Sequence, residues 1–195
     1  EAAGKKEIDI AVLPEELHDA FAEQPSEPKF AIDYFPHREK LEALLQRWKT
    51  GQAGTAIALV GETGIGKTTW LNQIALREPS LRILRYDIGE DVGSEEKICV
   101  MLSGFFNLGE LKSVNEVVGA LKNGPPKMII LDQCQNLVLR TVGGMAGFSS
   151  FTEIVGRTTP HLFWICAFSR YAWEYIDSVF LTKNIFREIY ELKPW

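Results

Sequence analysis

The chain holds 195 residues with 46% hydrophobic content, enough for one domain with a real core and ordinary for a soluble globular protein. No apolar run approaches the ~20 residues needed to span a bilayer, and the first apolar stretch, residues 8–13, is too short and interrupted for a signal peptide. The formal net charge of −5 falls wholly in residues 1–30, which carry eight acidic and three basic side chains; the balanced remainder lacks the basic footprint of a nucleic-acid-binding surface.

Residues 1–30 are punctuated by Pro14, Pro25 and Pro28 and read as an acidic linker or extension, with a short amphipathic helix over 14–22. Residues 31–195 read as the core domain. Leu41, Leu44, Leu45 and Trp48 recur at helical spacing and predict a helix over 38–49, stopped by Gly51 and Gly54. Residues 55–60 are continuously apolar without alternation, the pattern of a strand buried in a parallel sheet. A Gly-rich loop follows, then a helix over 67–77. A second strand fits 82–87, helices fit 94–106 and 113–122, and 127–132 is a buried strand ending in a carboxylate. Residues 143–147, with Gly143, Gly144 and Gly147, read as a flexible loop. A helix over 148–157, a strand over 162–168, a helical piece over 171–180 and a strand near 185–192 complete the pattern. Alternating strands and helices predict βαβ units, hence an α/β fold with a parallel sheet covered on both faces.

The three cysteines, Cys99, Cys134 and Cys166, have no metal-ligand spacing and sit in or beside apolar segments. They read as buried, reduced thiols of a cytoplasmic protein. His18, His37 and His161 form no ligand cluster in the sequence.

The loop Gly61-Glu62-Thr63-Gly64-Ile65-Gly66-Lys67-Thr68 matches the phosphate-binding pattern G-x-x-x-x-G-K-[ST] at every fixed position. Each residue type has a physical task. Gly61, Gly64 and Gly66 let the backbone wrap closely around phosphate. The loop's N–H groups and the positive end of the following helix then face the anion. Lys67 reaches the β- and γ-phosphates, Thr68 is placed to coordinate Mg²⁺, and Thr69 falls near the α-phosphate. Such a loop also needs a strand-borne carboxylate to hold the metal through its waters, and Asp132 closes the run Met128-Ile129-Ile130-Leu131. The gap from Lys67 leaves room for an intervening strand. A nucleoside triphosphate and Mg²⁺ are therefore the expected ligands.

Together, Gly61-Glu62-Thr63-Gly64-Ile65-Gly66-Lys67-Thr68-Thr69 and Met128-Ile129-Ile130-Leu131-Asp132-Gln133-Cys134-Gln135-Asn136-Leu137 resemble the AAA+ and STAND P-loop ATPases. The branch most similar holds secretion ATPases, origin-recognition proteins and STAND regulators. The resemblance spans roughly residues 34–195. It implies a three-layer P-loop fold with strand order 5-1-4-3-2, and a chain that stops before the family's helical lid. Tyr34-Phe35-Pro36-His37-Arg38-Glu39 is similar to that branch's Phe-x-Gly-Arg-Glu opening, with His37 where the family has Gly. This makes Phe35 and Arg38 candidate base contacts. Ser169, ending the strand over 162–168, matches the polar sensor 1 position, with Arg170 as its neighbour; a plain strand-end serine is the competing reading. Arg157, Lys183 and Arg187 are candidates to act on a neighbour's phosphate, against an ordinary role as solvated charges. Self-association or a partner protein would act through regions outside these residues.

One departure bears on activity. The family's catalytic Glu falls at Gln133, and an amide cannot serve as a base, although it can orient water. Three accounts stand open: a naturally weak ATPase, an engineered trap, or another carboxylate, Glu62 or Asp87, in its place. The functions in contention are an ATPase doing conformational work, a nucleotide-gated switch with little turnover and, last, a GTPase, whose Asn-Lys-x-Asp motif is missing.

Overall fold

The computed structural model describes residues 36–193 apart from 53, 79–80, 90–91, 139–143, 160 and 181. The helix expected over 14–22, the acidic extension and Phe35 lie outside the described residues. The described residues fall in one compact unit that begins at Pro36.

The elements run α1 (Arg38–Lys49), β1 (Ala56–Gly61), α2 (Lys67–Arg77), β2 (Ile83–Asp87), α3 (Glu95–Phe106), α4 (Val114–Asn123), β3 (Met128–Asp132), α5 (Ala146–Thr158), β4 (Phe163–Ser169), α6 (Arg170–Val179) and β5 (Glu188–Glu191). Short 3₁₀ turns cover Cys134–Leu137 and Thr182–Asn184. All strand pairs are parallel, in the order β2-β3-β4-β1-β5. Read from the other edge this is 5-1-4-3-2, the order the resemblance implies.

The central strands β1, β3 and β4 are buried on both faces, which their unbroken apolar runs require. On one face Ala58, Val60, Ile129, Leu131, Trp164, Cys166 and Phe168 join the buried residues of α3, α4, α5 and α6 in a continuous cluster. On the other, alternation presents Ile57, Leu59, Ile130 and Ile165, all fully buried. Trp48 of α1 meets Phe163 there, and α1 and α2 bury Leu41, Leu45, Leu71 and Ile74. The result is three layers, α/β/α.

Local signals place the helix ends. Ser94 caps α3, and Ser113 with Glu116 forms a reciprocal capping box on α4. Two expectations change. The loop read over 143–147 ends early: Ala146 and Gly147 already belong to α5. Gly147 is there because its helix packs against the backbone of residues 92–94, where a Cβ would lie 2.3 Å from the Val92 carbonyl oxygen. The last strand is also shorter than 185–192, because Ile185 and Phe186 donate their N–H groups back to Thr182 and close a turn before β5 begins.

Candidate phosphate and metal site

Four of the strands bring candidate groups to their carboxyl ends. β1 ends at Gly61, β2 at Asp87, β3 at Asp132 and β4 at Ser169. Gly61 lies in register with Ser169, and Asp87 with Asp132. Open α/β sheets gather ligand-binding groups along this edge.

The loop between β1 and α2 is shaped by its glycines. Gly64 (φ 81°) and Gly66 (φ 97°) are left-handed, a conformation costing other L-residues roughly 1–2 kcal/mol. Gly61 is required for space instead: a Cβ there would sit 2.7 Å from Ile65 Cγ2 and 3.3 Å from Leu192 Cβ. Ile65 thus packs beneath the loop. Gly66 stands at the N-cap of α2 with no side chain bonding to the first-turn N–H groups, which leaves that end of the helix suited to an anion. Glu62, Thr63 and Gly64 are exposed at the tip, and Thr68 and Thr69 on the first turn of α2 are exposed as well.

Lys67 is half-buried, with Nζ donating to the carbonyls of Gly61 (2.9 Å) and Glu62 (2.7 Å). Burial lowers its pKa below the ordinary lysine value, and the negative charge of Asp132 partly offsets this. Thr68 Oγ1 donates to Asp132 Oδ2 at 2.7 Å across 64 residues of sequence. Asp132 is 4% exposed, and its Oδ1 accepts the backbone N–H of Gln133 at 2.8 Å. The hydroxyl and the carboxylate that a magnesium ion would use are therefore in direct contact. A hard cation taking oxygen ligands and keeping waters fits this pair, and a triphosphate fits the glycine loop with Lys67.

Gln133 is exposed and left-handed (φ 57°), between the Asp132 carboxylate and the turn closed by Asn136 N–H on the Gln133 carbonyl. Asn136 also ties the strand ends together, donating Nδ2 to the Ile88 carbonyl while its own carbonyl accepts from Val92. Ser169 stands beside Gly61, but its hydroxyl caps α6, accepting from Ala172 N–H at 3.4 Å. Arg170 pairs with Glu191 at 3.6 Å. Arg157 bonds Glu153 and Asn115 on the far helices, while Lys183 and Arg187 are exposed. Arg38 opens α1 and bonds Glu42 at 2.8 Å.

His37 stands left-handed (φ 64°) at the start of α1, where the resembling family has Gly. The imidazole stacks on Tyr190 at 4.7 Å and lies 3.2 Å from the Glu191 carbonyl, contacts that offset the backbone strain.

Sequence reasoning missed Arg85. On β2, Leu84 and Tyr86 pack into the core cluster, so Arg85 projects to the α2 side. Its guanidinium donates to Asn72 on α2, lies 3.4 Å from Asp87 and reaches 3.5 Å from Asp132 Oδ2. An arginine two residues before a strand-end carboxylate, on the strand beside the metal-type Asp, was the available signal.

This five-stranded parallel sheet with flanking helices is an α/β P-loop NTPase-like fold. Among solved structures it is similar to Cdc6p from Pyrobaculum aerophilum (TM-score 0.62, 16% identity, covering 87% of this chain and 48% of that one). It is also similar to the Aeropyrum pernix ORC1 protein in complex with DNA (TM-score 0.55, 18% identity, 86% and 48%). The chain spans about half the length of these proteins. No protein-family profile and no curated protein matches it. Among the described residues no helix is long and apolar enough to cross a membrane.

Proposed function

We propose that this chain binds ATP with Mg²⁺ as an AAA+/STAND-type core that couples nucleotide state to conformational change, with slow hydrolysis. The observation that carries the reading is the Thr68–Asp132 contact at 2.7 Å, made beside a glycine loop whose Lys67 is turned inward. In the bound state Lys67 would leave the Gly61 and Glu62 carbonyls for phosphate oxygens. Thr68 and Asp132 would hold the metal, which neutralises phosphate charge. Arg38 and Phe35 are proposed toward the base, and Ser169 toward the γ-phosphate.

Gln133 supports slow turnover. It occupies the position next to Asp132, where a carboxylate would accept a proton from the attacking water, and its amide can only orient that water. A nucleotide-gated switch with no meaningful turnover is the second reading, favoured by the same residue. Asp87 is the strongest substitute carboxylate, in register with Asp132 on the neighbouring strand, whereas Glu62 is exposed on the loop. The three free, buried cysteines support a reducing, cytoplasmic setting.

The test is isothermal calorimetry with ATP and Mg²⁺. Wild type is expected to bind, and Lys67→Ala to lose measurable affinity while remaining folded. Equal affinity in the two proteins would sink the proposal.

A further inference from the structure

We propose that Arg85 is a resident counter-ion of the metal carboxylate, and that Mg²⁺ must displace it from Asp132 for the nucleotide complex to form. The inference rests on the ATP–Mg²⁺ reading and adds a control on metal entry.

Asp132 is almost wholly removed from water, and a buried carboxylate requires either a cation or several donors. Here it has both. Thr68 Oγ1 and Arg85 Nη2 converge on the same oxygen, Oδ2, at 2.7 and 3.5 Å. That oxygen is the one directed at the Thr68 hydroxyl, so it is the one a metal shared by the two residues would approach. Mg²⁺ demands a near-octahedral shell and keeps several waters. A guanidinium within 3.5 Å of its carboxylate oxygen occupies space those waters need and repels the incoming positive charge.

Arg85 also has somewhere to go. It already donates to Asn72, one helical turn beyond Thr68, and both Nε and Nη2 lie 3.4 Å from Asp87 Oδ1. Asp87 is exposed, so its carboxylate can take the guanidinium fully without a desolvation cost. A small swing thus exchanges a shared contact with Asp132 for a bidentate one with Asp87. The side chain has two seats, one filling the metal's place and one clearing it. Asp87, in register with Asp132, sets the balance between them.

The experiment titrates Mg²⁺ against a fixed concentration of a fluorescent ATP analogue, following binding by anisotropy, with a parallel measurement in EDTA. Arg85→Gln is expected to lower the half-saturating Mg²⁺ concentration threefold or more. Affinity in EDTA should change by less than twofold. Asp87→Asn, which weakens the second seat, should shift the Mg²⁺ midpoint upward, and Arg85→Lys should stay near wild type because the charge remains. Should Arg85→Gln not fold, the Asp87→Asn shift and the Lys variant carry the test. An unmoved or raised midpoint in Arg85→Gln overturns the inference and assigns Arg85 to phosphate contact or to a plain structural strut. Wild type that binds nucleotide under no condition overturns the ATP–Mg²⁺ reading itself, and this inference with it.

Discussion

Two substitutions at Asp132 separate its structural role from its proposed metal role. Asp132→Ala removes the acceptor for the Thr68 hydroxyl, for the Gln133 N–H and for the Arg85 guanidinium together. Thr68 and Arg85 can turn to water, so the loss concentrates on the part-buried Gln133 N–H. We expect about 2 kcal/mol of lost stability, within the ~1–3 kcal/mol range for orphaning a buried partner. For a domain of this size that lowers Tm by roughly 4–8 °C. Asp132→Asn preserves volume and one carbonyl acceptor, and it relieves the desolvation of a buried charge. Its cost should stay under about 1 kcal/mol. The ligand response should invert that ranking. At a hundredfold excess over Kd, ATP–Mg²⁺ stabilises the folded state by about 2.7 kcal/mol. The magnesium-dependent part of that gain should vanish in Asp132→Asn despite its near-native fold. The assay is thermal unfolding with ATP plus Mg²⁺ against ATP plus EDTA. A magnesium-dependent increment retained in Asp132→Asn would refute the reasoning, because the carboxylate would then hold no metal.

Three further outcomes are expected. Gln133→Glu should raise ATP turnover by about a hundredfold or more, the usual contribution of a positioned base, as measured by phosphate release; an unchanged rate would move the proton acceptor elsewhere. Gly147→Ala should destabilise by about 3 kcal/mol, the upper end of overpacking costs, since its Cβ would meet only backbone atoms of residues 92–94; urea unfolding reads this, and a loss below ~1 kcal/mol would contradict the packing. Burial, with Glu95 and Glu116 nearby, pushes the Cys99 thiol up to about 11. The folded chain then holds this proton more tightly than the unfolded one, so the stability it confers is complete below pH 9 and is lost as pH rises to about 11. Lys67 and Lys127, lowered by burial, act in the opposite sense, so the measurement is the wild-type minus Cys99→Ala difference across that window. A difference that does not narrow with rising pH would contradict the shift.

The fold was readable because its strongest signals are local. Leucine spacing marked α1 to the residue, the glycine loop fixed where β1 yields to α2, and uninterrupted apolar runs identified the buried strands. The strand order came from resemblance, since no local pattern encodes which strand neighbours which. Gly147 looked like loop composition because its need for glycine arises from a distant backbone, residues 92–94. Likewise His37 appeared only as a departure from Gly; its left-handed backbone, and the Tyr190 ring that supports it, are visible only in three dimensions. At the site, the residues of the contiguous motif could be named in advance. Arg85 and Asn72 could not, because their meeting depends on which face of an edge strand looks toward α2. Ser169 shows the reverse case, a residue named from the sequence whose hydroxyl is engaged as a helix cap.

The placement of β1 between β4 and β5 governs how the chain can be assembled during synthesis. Ala56 pairs with Trp164, and Ile57 with Glu188, so both neighbours of the phosphate-loop strand emerge more than a hundred residues after it. β2 and β3 are closer in sequence and can pair first. At a ribosomal pace of roughly 5–20 residues per second, β1 waits unpaired for several seconds, its apolar edges open to chaperones or to misassociation. The proposed nucleotide site is therefore among the last features to close, so a nucleotide bound there would reward only a nearly finished domain and would not nucleate its folding.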